Sequence, residues 1–192
     1  MFDVFRSRLM TALNSILILL TAFLAVFGEA AFTGLRHLLG AQIDLLPALV
    51  VYASLSANFA TLTLLCVLGG LFFDSLSANP LGVTVLPLFI TGFLIYSQRG
   101  LILRHQLFAQ VVLGLAASAV VPLMTVLLLL TLGQSPLLGW GSLWQWIVIS
   151  LGGAVATPAL FQLFALVDRV LSYRRAGESS FRPDREIRRG RK

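Results

Sequence analysis

Apolar residues run in long blocks along this chain, and charged residues fall almost entirely between the blocks. Leu9–Gly28 is twenty residues without a charge. At about 1.5 Å per residue it reaches roughly 30 Å, one hydrocarbon thickness. Glu29 ends it. Ala30–Asp44 is mixed, with Arg36, His37 and Asp44 among Phe32, Leu35, Leu38 and Leu39, a spacing that predicts a short helix lying in a membrane interface. Leu45–Phe73 is 29 residues without a charge. Ser54, Ser56, Asn58, Thr61 and Thr63 cluster at its middle, and Asn58 is a turn-former. The block can be one tilted helix or two short ones, and short helices work where other helices shield them.

Further on, Pro80–Tyr96 predicts a span, and a basic loop with Arg99, Arg104 and His105 follows it. Gln106–Leu132 is a long charge-free span containing Pro122. Gly133–Gly141 is a Gly/Pro/Ser turn. Leu143–Val167 is the last span, with Trp140, Trp144 and Trp146 near its start and Pro158 late in it.

Charge decides between one helix and two. Basic residues near membrane ends favour the cytoplasm. With Leu45–Phe73 as two helices, Arg6/Arg8, Arg99/Arg104 and the tail from Arg169 all fall on one side. With one helix, the Arg99/Arg104 loop and the tail land outside. The expected fold is therefore all-α, a polytopic membrane protein of six transmembrane helices over residues 1–167. Both termini are cytoplasmic, and residues 168–192 form a basic, flexible tail. The three tryptophans then collect at the outer interface, as amphipathic rings do. The first block follows Arg6 and Arg8 as a signal peptide would, but no small-x-small cleavage site follows a short core, so it reads as a retained helix.

Composition strengthens this picture. Hydrophobic residues make up 58% of the 192, charged residues 11%, and mean hydropathy is +0.92. Soluble domains are about 25% charged. Of the 14 basic residues, nine lie in the last 24 positions. So the net charge of +6 points to topology and an anionic membrane surface, not to nucleic acid. A cytoplasmic partner docking on the tail is the other reading of that charge. The single cysteine, Cys66, reads as a small packing residue.

Candidate chemistry is sparse. Asp74 is the only charge between Leu45 and Gln98. It marks a hydrated helix end, or it (or Ser75 or Ser77) caps the next helix, or it binds a partner or fixes a buried turn. By charge parity it sits at the outer end of the third helix, where it needs no unusual desolvation. Asn79-Pro80-Leu81-Gly82 then turns the chain into the fourth. Glu29 and Asp44 read as interface markers. Arg36 and His37 could pair with them, weakly at an exposed site. His37 and His105 fall on opposite sides and cannot share a metal. No His-Glu-x-x-His, Gly-x-Ser-x-Gly or P-loop is present, so no enzyme and no cofactor are expected. Gly69-Gly70, Gly82, Gly92, Gly114 with Ser118, and Gly152-Gly153 with Ala154 and Ala156 would let helices approach closely, inside the molecule or against a partner.

The segment Gly-Gly-Leu-Phe-Phe-Asp-Ser-Leu-Ser-Ala-Asn-Pro-Leu-Gly at 69–82 resembles the hallmark of the bacterial rod-shape-determining MreD family. That hallmark reads roughly Gly-Leu-Leu-Leu-Asp-Leu-Leu-Ser-Gly-Ser-Pro-Leu-Gly. Ile43–Tyr52 is similar to the family's second-helix region, except that Asp44 precedes Pro47 where the family usually opens with Pro-Asp. The resemblance implies a non-catalytic inner-membrane subunit of the cell-elongation machinery that supports peptidoglycan synthesis and cell shape. Its implied partner is the bitopic protein MreC, and through it MreB, RodA and a class B penicillin-binding transpeptidase. It also implies a fold similar to the substrate-binding subunits of energy-coupling-factor transporters, which leaves a vitamin-transport subunit as the alternative. The motif positions are Gly69, Gly70, Asp74, Asn79, Pro80, Leu81 and Gly82, none with a catalytic role.

Overall fold

In the computed structural model, residues 2–31, 44–77, 79–101, 106–134 and 139–176 are described. The expected interface helix over Ala30–Asp44 lies mostly outside the described residues, as do Arg104, His105 and the tail beyond residue 176.

Every described element is a helix. In chain order they are α1 (Phe2–Ala31), α2 (Leu46–Ser56), α3 (Phe59–Leu76), α4 (Val85–Ser97), α5 (Leu107–Thr131) and α6 (Trp140–Ala176). The chain divides into two compact units, Met1–Leu160 and Phe161–Lys192. The described part of the second is helical through Ala176.

Leu45–Phe73 is two helices, and the break falls at Ala57–Asn58, where both residues are extended. Pro47 sits in the first turn of α2, where a missing N–H costs nothing. The two helices are unequal, 11 and 18 residues. α2 is only about 16 Å long, and Leu46 through Leu55 are all buried. It packs against α1, α3, α4 and α5. A helix that is apolar all round is stable only when fully covered. Here four neighbours cover it, which is the shielding a short helix in a membrane needs.

Two residues make that packing close. A Cβ on Gly69 would lie 2.8 Å from Leu46 Cδ2, and one on Gly92 would lie 2.8 Å from Val50 Cγ1. The Ser54 hydroxyl donates to Val50 O at 2.6 Å and to Gly92 O at 3.0 Å, which ties α2 to α4. On the other side, Ser15 and Thr61 share a hydrogen bond of 2.7 Å between α1 and α3.

Successive helices alternate in direction. Glu29 near the end of α1 meets Leu45 at the start of α2. Gly69 late in α3 meets Leu46. Gly70 meets Val85 at the start of α4, and Phe59 at the start of α3 meets Tyr96 at the end of α4. The start of α4 (Leu86, Pro87) faces the end of α5 (Leu128, Thr131). Gly114 in α5 meets Gly153 and Thr157 in α6, while Trp146 donates to Ala119 O at 2.9 Å. The small residues at 114, 118 and 153 therefore serve packing within the molecule.

Four helices, α1 (over Ala12–Ala31), α3, α5 and α6 (over Trp140–Val167), are long and apolar enough to cross a membrane. α2 and α4 are shorter apolar helices. The outer faces are apolar: Leu20, Leu24 and Phe27 on α1, Leu123 and Leu127 on α5, and Leu151 and Val155 on α6 are exposed. So much exposed hydrocarbon is unstable in water and suits lipid. α1 begins seven residues before the charge-free block, because a helix need not stop where the hydrocarbon does. α4 begins five residues after Pro80, because the intervening residues build a turn.

Candidate functional site

That turn joins α3 to α4 and is built on Asp74. Asp74 lies in the last turn of α3, and only 1% of it is exposed. Its Oδ2 accepts the backbone N–H of Gly82 at 2.9 Å and that of Thr84 at 3.1 Å. Its Oδ1 accepts the Thr84 hydroxyl in a short hydrogen bond. A buried carboxylate is tolerable when donors replace its water, and three do so here.

The rest of the turn follows from local chemistry. Ser77 ends α3, its N–H donating to Phe73 O at 3.0 Å. The Ser77 hydroxyl accepts the Asn79 N–H at 3.3 Å and lies the same distance from Asp74 O, to which it can donate. Pro80 O accepts the Val83 N–H at 3.3 Å. Gly82 has φ +90°, a backbone that side chains rarely adopt, so the glycine is required where the chain reverses. Thr84 then precedes α4 without capping it, because its hydroxyl is committed to Asp74. Asp74 supplies the acceptor that such a helix start lacks.

Gly70 lies four residues before Asp74, on the same face of α3. A Cβ there would come within 2.9 Å of Val85 Cγ2 and 3.0 Å of Val85 Cα. The glycine lets the first turn of α4 sit directly on α3, which brings the Thr84 donors within reach of Asp74.

The structure thus gathers Gly70, Asp74 and Gly82 into one unit. Gly69 faces α2 instead. Asn79 and Pro80 are half-buried in the turn, and Leu81 is exposed at its tip. Of the readings open for Asp74, the buried turn is the one that forms, and the hydrated helix end is not. The carboxylate is dry, because the turn folds back over it and backbone donors take the place of water. Thr84 was not among the expected site residues. A usable signal exists: it is the first polar side chain after Gly82, in a run otherwise nearly all apolar through Tyr96.

Glu29 and Asp44 also differ from simple interface markers. Asp44 is buried at the start of α2, its Oδ1 accepting the Leu46 N–H at 2.9 Å. Glu29 Oε1 accepts the Leu45 N–H at 2.6 Å. Together the two acids hold consecutive N–H groups at the head of the buried helix. Burial pushes the Asp44 carboxyl up to about 6, the Leu46 N–H opposing the shift only in part.

This arrangement holds chain together and presents little for chemistry. Each Asp74 oxygen is engaged by the turn. Among the described residues no group of three or more His, Cys, Asp or Glu converges as metal ligands do. A cavity of about 230 Å³ between α4 and α5 is lined by Leu86, Pro87, Ile90, Met124, Leu127, Leu128 and Thr131, with no ionisable group.

No protein-family model matches the chain, and neither curated proteins nor solved structures show a significant similarity to it.

Proposed function

We propose that this chain is a non-catalytic scaffold of the bacterial cell-elongation machinery, of the MreD type, spanning the inner membrane six times with both termini in the cytoplasm. The observation that carries the reading is the 69–82 segment, whose glycines and aspartate build a rigid buried turn. A segment whose residues build such a turn serves architecture, as a scaffold needs, and leaves the carboxylate no oxygen for turnover. The alternating helix directions support six crossings, with α2 and α4 sheltered by their neighbours. The Arg99 end of α4 and the Trp140 end of α6 then lie at opposite faces, which suits basic residues inside and tryptophans outside.

In this role the protein holds a bitopic partner of the MreC kind through its lipid-facing helices, and through it MreB, RodA and a class B transpeptidase. The test is purification of the tagged chain from its own membranes in mild detergent, together with depletion in the living cell. The expected result is a co-purifying MreC-like protein and rod cells that round up. Samples that never retain such a partner, from cells that keep their shape on depletion, overturn the reading.

A further inference from the structure

The end of the bundle opposite the Asp74 turn carries a second constellation. Arg99 follows the last turn of α4 and lays its guanidinium carbon 4.2 Å above the centre of the Tyr96 ring. The Tyr96 ring lies 5.5 Å from that of Phe59, the first residue of α3. Phe59 in turn meets Phe93 at 6.1 Å and Phe89 at 6.2 Å. Four aromatic rings from two antiparallel helices thus make one wall below a cation. Phe59 and Phe93 are nearly half exposed, and Leu101, two residues past Arg99, is 82% exposed.

Arg99 itself is exposed, and no carboxylate pairs with it among the described residues. The sequence offers no acid between Asp74, at the far end of α3, and Asp168. The Tyr96 ring lies against the guanidinium carbon, while the exposed N–H groups stay open to solvent as an edge. Such an edge is built for an oxyanion. The surface beneath it is hydrocarbon and aromatic.

We propose that Arg99, Tyr96, Phe93 and Phe59 form a binding site for an anionic phospholipid, the phosphate on the Arg99 edge and an acyl chain along the exposed rings. Charge complementarity selects this occupant. An apolar partner helix would cover the rings and leave the guanidinium without a counter-charge. The inference rests on the membrane-spanning reading and not on any role in cell-wall synthesis.

The test uses the full chain in detergent, incubated with phosphatidylglycerol, with phosphatidylcholine or with inorganic phosphate, and retained lipid is counted by native mass spectrometry. Phosphatidylglycerol should outlast phosphatidylcholine. Arg99→Gln should weaken its retention about tenfold, the loss of one charge-assisted hydrogen bond. Arg99→Lys should restore part of it, and Tyr96→Leu should weaken it with the charge intact. Thermal melting in detergent should be the same for Arg99→Gln and wild type, since the side chain is at the surface. The basic tail also attracts anionic lipid but is common to all variants, so only the difference between them is read. Equal phosphatidylglycerol retention by wild type and Arg99→Gln overturns the site. Equal stabilisation by inorganic phosphate alone overturns the acyl-chain part. A chain that does not fractionate with membranes overturns the membrane reading itself.

Discussion

Asp74 and Thr84 are joined twice, the Thr84 hydroxyl on one carboxylate oxygen and the Thr84 backbone N–H on the other. The nine residues between them are closed by this pair, and the first turn of α4 is seated on α3 by it. A hydroxyl and an amide from the same residue fix both the position and the plane of the carboxylate. The Gly82 N–H completes the set from the middle of the turn.

Removal of the carboxylate leaves three donors without an acceptor in a dry site. Asp74→Ala should therefore cost on the order of 3 kcal/mol, and Thr84→Val, which loses only the hydroxyl, about 1 kcal/mol. The single cysteine gives a direct readout. Cys66 is fully buried in α3, so a maleimide should modify it only when the bundle opens. Modification should be fastest in Asp74→Ala, slower in Thr84→Val and slowest in wild type. Equal rates in all three would show that the turn carries no stability.

The helix crossing of α5 and α6 yields a second expectation. A Cβ on Gly153 would overlap the Ser118 side chain and lie 3.0 Å from Gly114 O. The Ser118 hydroxyl is fully buried and has no hydrogen-bond partner. Gly153→Ala should destabilise by about 2 kcal/mol through overpacking. Ser118→Ala alone should be neutral or stabilising, since a buried hydroxyl without a partner contributes only its desolvation cost. Ser118→Gly combined with Gly153→Ala should recover part of the loss. Detergent melting temperatures of wild type, Gly153→Ala, Ser118→Gly and the double variant, read as a cycle, check this. Additive effects would show that the two positions do not touch.

Much of this architecture was legible in the sequence. Gaps between charges outlined the long helices, because a charge in hydrocarbon is costly enough to be excluded. Asn58 and Asn79-Pro80 marked the breaks, because they favour turns or cannot continue a helix. Which helix is central was not legible. Leu46–Ser56 reads as apolar whether lipid or protein surrounds it, since both environments demand hydrocarbon side chains. A buried turn was one reading open for Asp74, but what would fill its oxygens was hidden for a different reason. Its partners are two backbone N–H groups, which every residue but proline carries, and one threonine ten positions away. A backbone donor has no signature in a sequence. The Arg99–Tyr96 stack was equally silent, since nothing distinguishes a stacked arginine from a topogenic one.

The last expectation concerns Asp44 and has a defined sign. Its carboxyl is buried at the head of α2, and burial raises it from an ordinary value of 3.8 to about 6. Between these two values the folded chain holds a proton that the unfolded chain has lost. The contribution of Asp44 to folding stability therefore falls as pH rises from about 4 to about 6 and is level above that, the total loss being on the order of 3 kcal/mol. Asp44→Asn keeps an oxygen to accept the Leu46 N–H, now 2.9 Å from Oδ1, and removes the charge. The variant should match wild type near pH 4, exceed it in melting temperature near pH 7.5, and show a shallower slope between. Glu29, which accepts the neighbouring Leu45 N–H, stays in place in both proteins but feels the Asp44 charge, so the difference between the two curves reports on the pair. Parallel curves for wild type and Asp44→Asn would show that the buried carboxyl keeps its charge at no cost. In that case the two acids at the head of α2 would act as simple caps for its free N–H groups.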